Sequence, residues 1–389
     1  MAGALTLIAN PGSASRKYAL YEGAKARASL HFEWSEQKVI CTLQSGERRE
    51  TIATDITELG EAAGRVVPVL RAQQQLKNDE HITHIGLRIV APGAYFLEPR
   101  LVDDEFIRRL DAAKALAPLH TTDTLAELHR LRQQFADTVI TGVSDSAFHK
   151  TKPDYAWNYG LPLHDADRLD IKRFGYHGLS VASAVRTLRR AGRLPTKLIV
   201  CHIGSGVSVT AVLNGQSFDT SMGYSPLEGA IMATRSGSID FAAATTLKRA
   251  LGLDDEQLEL YLNRQSGLLG LGGSADLREL LQREAAGDQQ AHLAIQTYIF
   301  SLQKAIGQMA GALGGLDALV FTGTIGERSA PIRQRSIEGL GYLGLIIATQ
   351  INAAPHGHPI SNIELASHSK PIYIIPADEA SEMVYALQH

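Results

Sequence analysis

Two stretches of the chain share one pattern, and that repetition narrows the architectures open to it. LTLIANPGSASRKYALYEG at the start and KLIVCHIGSGVSVTAVLNG near the middle each run as an apolar strand, a Gly/Ser turn, a second strand and a closing turn. The likeness is one of pattern more than identity, and each copy is expected to open one half of the molecule. At 389 residues and 44% hydrophobic content, the chain is also long for one core, since single cores stop growing beyond roughly 250–300 residues. Between and after the copies, strand-like runs (THIGLRIV, DTVITGV, LNGQSFDTS, LDALVFTG, PIYIIPA) alternate with helical stretches (EFIRRLDAAKALA, QAHLAIQTYIFSLQKAIGQMAGAL), which is the signature of a mixed α/β chain. A composition shift at KTKPDYAWNYG, Lys150 to Gly160, marks the expected boundary between halves.

The turns carry the chemistry. Glycine and serine leave backbone N–H groups and hydroxyls open to an anion, because neither shields the chain. Taken singly, such a turn is an ordinary hairpin. Here a third strand, DALVFTG, ends in the polar loop TIGERS before the helix-like PIRQRSIEGLGYLG, and helix starts after such loops favour anions. The formal net charge is only -3, so no global field recruits nucleic acid or a membrane surface, and any anion must be held locally. No uninterrupted apolar stretch reaches the roughly 20 residues of a membrane span. Cys41 and Cys201 lie far apart, and no basic region followed by an apolar segment and cleavage site opens the chain, so reduced thiols and a cytoplasmic location are expected.

At these residues the chain resembles the acetate kinase family. NPGSASRKYAL is similar to the family's first phosphate motif, and LAPLHTTDTL, SDSAFHKTKP, RFGYHGLS, DTSMGYSPLEGAIMATRSGSID, VFTGTIGERS and IPADEASEM follow in the family's order. The resemblance spans nearly the whole chain. It implies membership of the sugar kinase, Hsc70 and actin superfamily: an α/β chain of two duplicated ribonuclease H-like (actin-like ATPase) domains with a nucleotide cleft between them. On that reading residues 1–149, joined by 380–389, form one domain. Residues 150–379 form the other, with the nucleotide loops and a homodimer interface.

The resemblance also implies roles. Phosphoryl transfer between a carboxylate and a nucleotide crowds negative charges, so catalysis rests on positioning and electrostatics. Arg88 in LRIV and Arg235 in TRSG are implied to flank the substrate and the transferring phosphoryl, with forked guanidinium groups suited to both. An arginine at an arbitrary position is ordinarily a solvated surface residue. His177 in FGYHG, which alone reads more readily as a hydrogen-bonded core histidine, is implied to donate to the phosphoryl's equatorial oxygens. Asp145 and Glu379, with Asn10, are implied to hold Mg2+, with Mn2+ able to substitute. Val90, Leu119, His120, Tyr176 and Pro226 match the wall of a small apolar pocket around one carboxylate. Their plain alternative is core packing. Asn10, Ser13, Ser15 and Lys17, then His202, Gly204, Ser205 and Gly206, then Gly323, Thr324, Ile325, Gly326 and Glu327, match the phosphate and nucleotide motifs for ATP and ADP. For His149 and His202, structural support and phosphate contact are equal readings.

The chain departs from the family pattern at both ends of the implied site. Where members carry HRVVHGG it has LRIVAPG; HLGNG is HIGSG, which puts Ser205 in place of an amide; AGIGENS is GTIGERS, with Thr324 for glycine and Arg328 for asparagine; and Ser238 replaces the acid after TRSG. The expected activity is Mg-dependent, direct in-line phosphoryl transfer from ATP to acetate, giving acetyl phosphate and ADP. Two alternatives stand beside it. One is a related kinase using propionate, or pyrophosphate as donor; the other is a weakened paralogue that binds nucleotide or acyl phosphate.

Overall fold

The computed structural model describes residues 4–12, 15–35, 38–114, 118–355 and 358–389, with residues 118–120 described in their backbone only. The chain divides into two compact units, Met1–Ala147 with Asp378–His389, and Phe148–Ala377.

In the first unit, strands β1 (Leu5–Pro11), β2 (Ser15–Glu22), β3 (Lys25–Ser35), β4 (Lys38–Ser45), β5 (Arg48–Ala53), β6 (Ile82–Ile89), β7 (Arg100–Leu101) and β8 (Val139–Ser144) form one sheet. Its order is β5-β4-β3-β2-β1-β6-β8-β7. The β1 to β5 run is an antiparallel meander, whereas β1, β6 and β8 are parallel neighbours. The parallel strands are central and covered by helices, so their sequences are near-continuous apolar runs. β5 is an edge strand and carries Arg48, Arg49 and Glu50, most of them exposed. Helices Ala62–Ala72, Asp104–Lys114 and Pro118–Gln134 are joined by the C-terminal helix Glu379–Gln388, which packs on β1, β6 and β8.

The second unit repeats that plan. Its strands β9 (Lys197–Ile203), β10 (Val207–Leu213), β11 (Gln216–Thr220), β12 (Ala318–Thr322), β13 (Ser361–Asn362) and β14 (Ile372–Ile374) run in the order β11-β10-β9-β12-β14-β13. β11, β10 and β9 are antiparallel, and β9, β12 and β14 are parallel. The repeated sequence pattern is thus a repeated topology: β1–β2 and β9–β10 are corresponding hairpins. Of the run LNGQSFDTS, the first part is the turn itself, where Asn214 and Gly215 both take positive φ and close a two-residue hairpin between Leu213 and Gln216, as Asn-Gly pairs favour. Helix Gln289–Leu313 buries Ala291, Ile295, Tyr298, Leu302 and Ile306 at helical spacing. Both cysteines are buried, Cys41 in β4 and Cys201 in β9. Among the described residues, no helix is long and apolar enough to cross a membrane.

Gly142 in β8 shows how tightly the first unit is closed. A Cβ there would lie 2.4 Å from the Phe106 ring, which is buried and wedged edge-on against Phe96. Gly142→Val is expected to lower stability by about 1–3 kcal/mol through overpacking. Denaturant unfolding checks this, and Phe106→Leu in the same chain should recover part of the loss.

Candidate active site

The ends of the parallel strands collect the charged residues of the first unit. Asn10 lies near the end of β1, Arg88 near the end of β6, and Asp145 directly after β8, where its N–H donates to the Ile89 carbonyl at 2.9 Å. Glu379 is the first residue of the C-terminal helix, whose preceding Asp378 caps it by accepting from the Ser381 N–H. These four side chains form a single chain of contacts. Arg88 Nη2 donates to Asp145 Oδ2 at 2.7 Å, Arg88 Nη1 to Asn10 Oδ1 at 3.1 Å, and Asn10 Nδ2 to Glu379 Oε2 at 2.7 Å. Burial alone would push the Arg88 guanidinium down, but the Asp145 and Glu379 carboxylates outweigh it and hold it above its ordinary value. Arg88 Nε is buried and makes no hydrogen bond among the described residues.

The rest of the first motif divides by side. Lys17 is exposed on β2, and Ser15 is half-buried with its carbonyl taking the Gly12 N–H at 2.9 Å. Ser13 lies outside the described residues, and the side chains of Leu119 and His120 do too. Val90 is half-buried just past Arg88. Arg16, which the motif reading passes over, faces the opposite way from Lys17. It is buried, donates to the Gly12 carbonyl, reaches Asp123 at 3.3 Å and lies 3.7 Å from the fully buried Glu127. Burial pushes the Glu127 carboxyl up, even though the Tyr18 hydroxyl, 2.5 Å away, and the Arg16 charge pull it down. The period-two alternation of Arg16, Tyr18 and Leu20 along β2 is the sequence signal that points Arg16 inward.

In the second unit, His177 caps helix Gly178–Arg190 in the left-handed region at φ 60°, a conformation that costs a β-carbon residue on the order of 1 kcal/mol. Its Nδ1 meets Ser208 Oγ at 3.0 Å, and its ring stacks on His202 with centroids 4.1 Å apart. His202 Nδ1 is in turn 2.8 Å from Ser180 Oγ. A Cβ on Gly206 would lie 3.0 Å from His177 Nε2 and 3.4 Å from Arg235 Nη1. The imidazole and the guanidinium therefore converge on the HIGSG turn, which closes through a Gly204 N–H to Gly206 carbonyl bond of 2.8 Å and leaves Ser205 exposed. Arg235 Nη1 donates to the Pro226 carbonyl at 3.2 Å. Tyr176 is buried, with its hydroxyl on the Tyr224 carbonyl at 2.7 Å. Ser238 Oγ accepts from the Gly229 N–H at 3.0 Å. His149 is fully buried between Ser217 Oγ at 2.8 Å and the Tyr176 carbonyl at 3.0 Å, an arrangement that supports the Tyr176 backbone.

TIGERS, read as a loop, is instead a short helix, Gly323–Arg328, directly followed by a second, Ala330–Ile337. Thr324 and Arg328 point to solvent, Ile325 is half-buried and Gly326 buried. Glu327 Oε1 accepts from the Ala377 N–H at 3.0 Å. The helix is held from beneath by Arg333, which is 1% exposed. Its guanidinium donates to the carbonyls of Gly326 and Glu327, each at 2.9 Å, and to the Asn352 side chain and carbonyl at 2.7 and 2.8 Å. Burial among neutral acceptors pushes this guanidinium down to about 10. Its partners are mostly backbone carbonyls, which no sequence motif displays.

Two units of one sheet order, each presenting polar side chains and turns at the ends of its parallel strands, define a duplicated ribonuclease H-like protein of the actin-like ATPase class. Residues 5–385 match the Acetokinase family. The chain belongs to that family. It is 37% identical over 385 residues to the acetate kinase of Deinococcus deserti, covering 96% of this chain and 95% of the relative, and 34% identical over 384 residues to that of Sulfurovum sp., covering 97% and 96%. Among solved structures, a propionate kinase from Francisella tularensis matches at a TM-score of 0.88 and 31% identity, covering 98% of each chain. The acetate kinase of Porphyromonas gingivalis matches at 0.82 and 30%, covering 99% of this chain and 98% of that one.

Arg333→Met should leave buried carbonyls without a donor and cost about 2–3 kcal/mol. Arg333→Lys is expected to recover little, because an ammonium cannot reproduce the planar fork. Chemical denaturation of both variants checks the pair.

Proposed function

We propose that this protein is an acetate kinase: it transfers a phosphoryl group from ATP to acetate, with magnesium, giving acetyl phosphate and ADP by direct in-line displacement, and it runs in reverse. The observation that carries the reading is the Asp145–Arg88–Asn10–Glu379 constellation within a family match that spans nearly the whole chain.

Arg88, oriented by Asp145 and Asn10, offers its guanidinium charge to the carboxylate acceptor. Held at Nδ1 by Ser208 Oγ, His177 turns its Nε2 toward the Gly206 turn, as Arg235 does its Nη1. These two donors serve the equatorial oxygens of the transferring group, and they need no reorganisation as charge develops there. Asp145, Glu379 and Asn10 supply only oxygen donors, and among the described residues no group of three or more His, Cys, Asp or Glu side chains could hold a metal by itself. That donor set fits Mg2+, which takes one or two carboxylates and completes its octahedron with water and phosphate oxygens. When bound, the ion neutralises phosphate charge. Asn10, Ser13, Ser15 and Lys17, with the turn Gly204–Gly206 and the helix Gly323–Arg328, are the residues this reading gives to the phosphates and nucleotide. The reading assigns Val90, Leu119, His120, Tyr176 and Pro226 to binding of the acceptor. The reading includes a division near residue 149, a homodimer through the second domain and a cytoplasmic location.

A second acceptor, propionate, is favoured by the structural match to a propionate kinase. One methylene changes discrimination in such a pocket by only about 1–3 kcal/mol, so both acids should turn over.

Arg88→Ala and Arg235→Ala are expected to lower kcat at least about 100-fold in a chain that still folds, with Arg88→Ala also less stable, while Asp145→Ala and Glu379→Ala should raise the magnesium concentration needed for half-maximal rate. Near-normal turnover in the arginine variants would remove the mechanism, and an unmoved metal dependence would remove that carboxylate. A hydroxamate assay with acetate or propionate, and with ATP or pyrophosphate as sole donor, tests acceptor and donor. ATP should serve, since Thr324 points to solvent. Use of pyrophosphate alone, with ATP use appearing in Thr324→Gly, would overturn the donor assignment.

A further inference from the structure

The carbonyl that receives Arg235 belongs to Pro226, in the loop Gly223–Gly229. Three side chains outside the roles assigned above fix that loop. Glu228 Oε1 accepts from Arg173 Nη1 at 2.5 Å, and Oε2 accepts from the Tyr159 hydroxyl at 2.5 Å. The same hydroxyl takes the Tyr224 N–H at 2.8 Å, so one phenol joins the loop's backbone near its start to its carboxylate near its end. Arg173 lies over the Tyr159 ring, 5.3 Å from its centroid. At the loop's beginning the Gly223 carbonyl accepts from the Gly175 N–H at 3.0 Å. The packing is close: a Cβ on Gly223 would lie 1.7 Å from Glu228 Oε2 and 2.3 Å from the Tyr159 hydroxyl. The ion pair is also sheltered, with the Arg173 and Glu228 side chains 24% and 28% exposed.

We infer that Glu228 is a positioning residue for Arg235: its carboxylate, shared by Arg173 and Tyr159, fixes the loop whose Pro226 carbonyl aims the Arg235 guanidinium at the Gly206 turn. This rests on the reading of Arg235 as a catalytic group. A surface ion pair is worth little, and Glu228 differs from one in geometry. Both of its oxygens are used at short distance, and its two partners come from segments that otherwise hold Tyr224 and Tyr176. A carboxylate two residues from Pro226 sets that carbonyl's position with little slack. A small misplacement of a catalytic group is enough to cost about 100-fold in rate.

The test is a double-variant cycle on the full chain, with kcat and KM for acetate and for ATP measured for Glu228→Ala, Arg235→Ala and the pair. Glu228→Ala is expected to lower kcat about 100-fold with KM for ATP little changed. In the Arg235→Ala background the same substitution should cost less than about threefold, because residues acting through one group are not additive. Glu228→Gln, which keeps size and the Tyr159 bond, serves if the alanine variant does not fold, with a loss of about tenfold expected and the same collapse beside Arg235→Ala. Losses that multiply in full across the two backgrounds overturn the inference and leave the role of Arg235 standing. Wild-type turnover in Arg235→Ala overturns the role of Arg235, and the inference with it. Unchanged kcat in Glu228→Ala overturns the inference alone.

Discussion

A guanidinium buried at the end of a central strand is the constraint around which the first unit is arranged. Arg88 is a charge that burial disfavours, and it persists because Asp145 and Asn10 answer it within hydrogen-bond distance. Those partners sit on β1 and directly after β8, the two strands adjoining β6, so the parallel pairing of β1, β6 and β8 is what brings them together. Glu379 completes the set through Asn10, and it is in reach because the C-terminal helix docks on the same three strands. Removing one member of such a set leaves the others uncompensated, which is costlier than never having built the pair.

The second unit uses the same sheet order for a different purpose. At the ends of β9 and β12 it places backbone rather than carboxylates: the Gly204–Gly206 turn and the start of Gly323–Arg328. Side chains then approach those turns from elsewhere. His177 comes from a helix start and Arg235 from a loop, and each is held by a neighbour that is itself held, Ser208 for the imidazole and the Pro226 carbonyl for the guanidinium. Duplication has supplied the frame twice, and the two copies differ in whether the strand ends bear charge or open backbone.

The frame was legible in the sequence because it rests on local rules. Apolar runs marked the central strands, Asn214–Gly215 marked a hairpin, and the repeated strand–turn–strand pattern marked the duplication. The charged site was legible for another reason: Asn10, Arg88, Asp145 and Glu379 sit in motifs, and the structure places them in one hydrogen-bonded chain. What escaped was held by partners that carry no sequence mark. Arg333 grips backbone carbonyls, and Glu228 depends on Tyr159 far along the chain. TIGERS reads as a loop because Gly326, with Gly323 just before it, argues against a helix locally, and the clamp that makes it one, Arg333, lies five residues beyond Arg328.

The outermost strand of the first sheet has a consequence for the protein in a crowded solution. A sheet edge offers unpaired N–H and C=O groups to any passing strand, and a flat apolar edge recruits one. β5 reads RRETIA, with its charged residues turned outward. A second molecule adding itself there would have to bring its own backbone against two arginines and a glutamate and strip them of water. The charges on that margin therefore work against strand addition by a second copy of the chain.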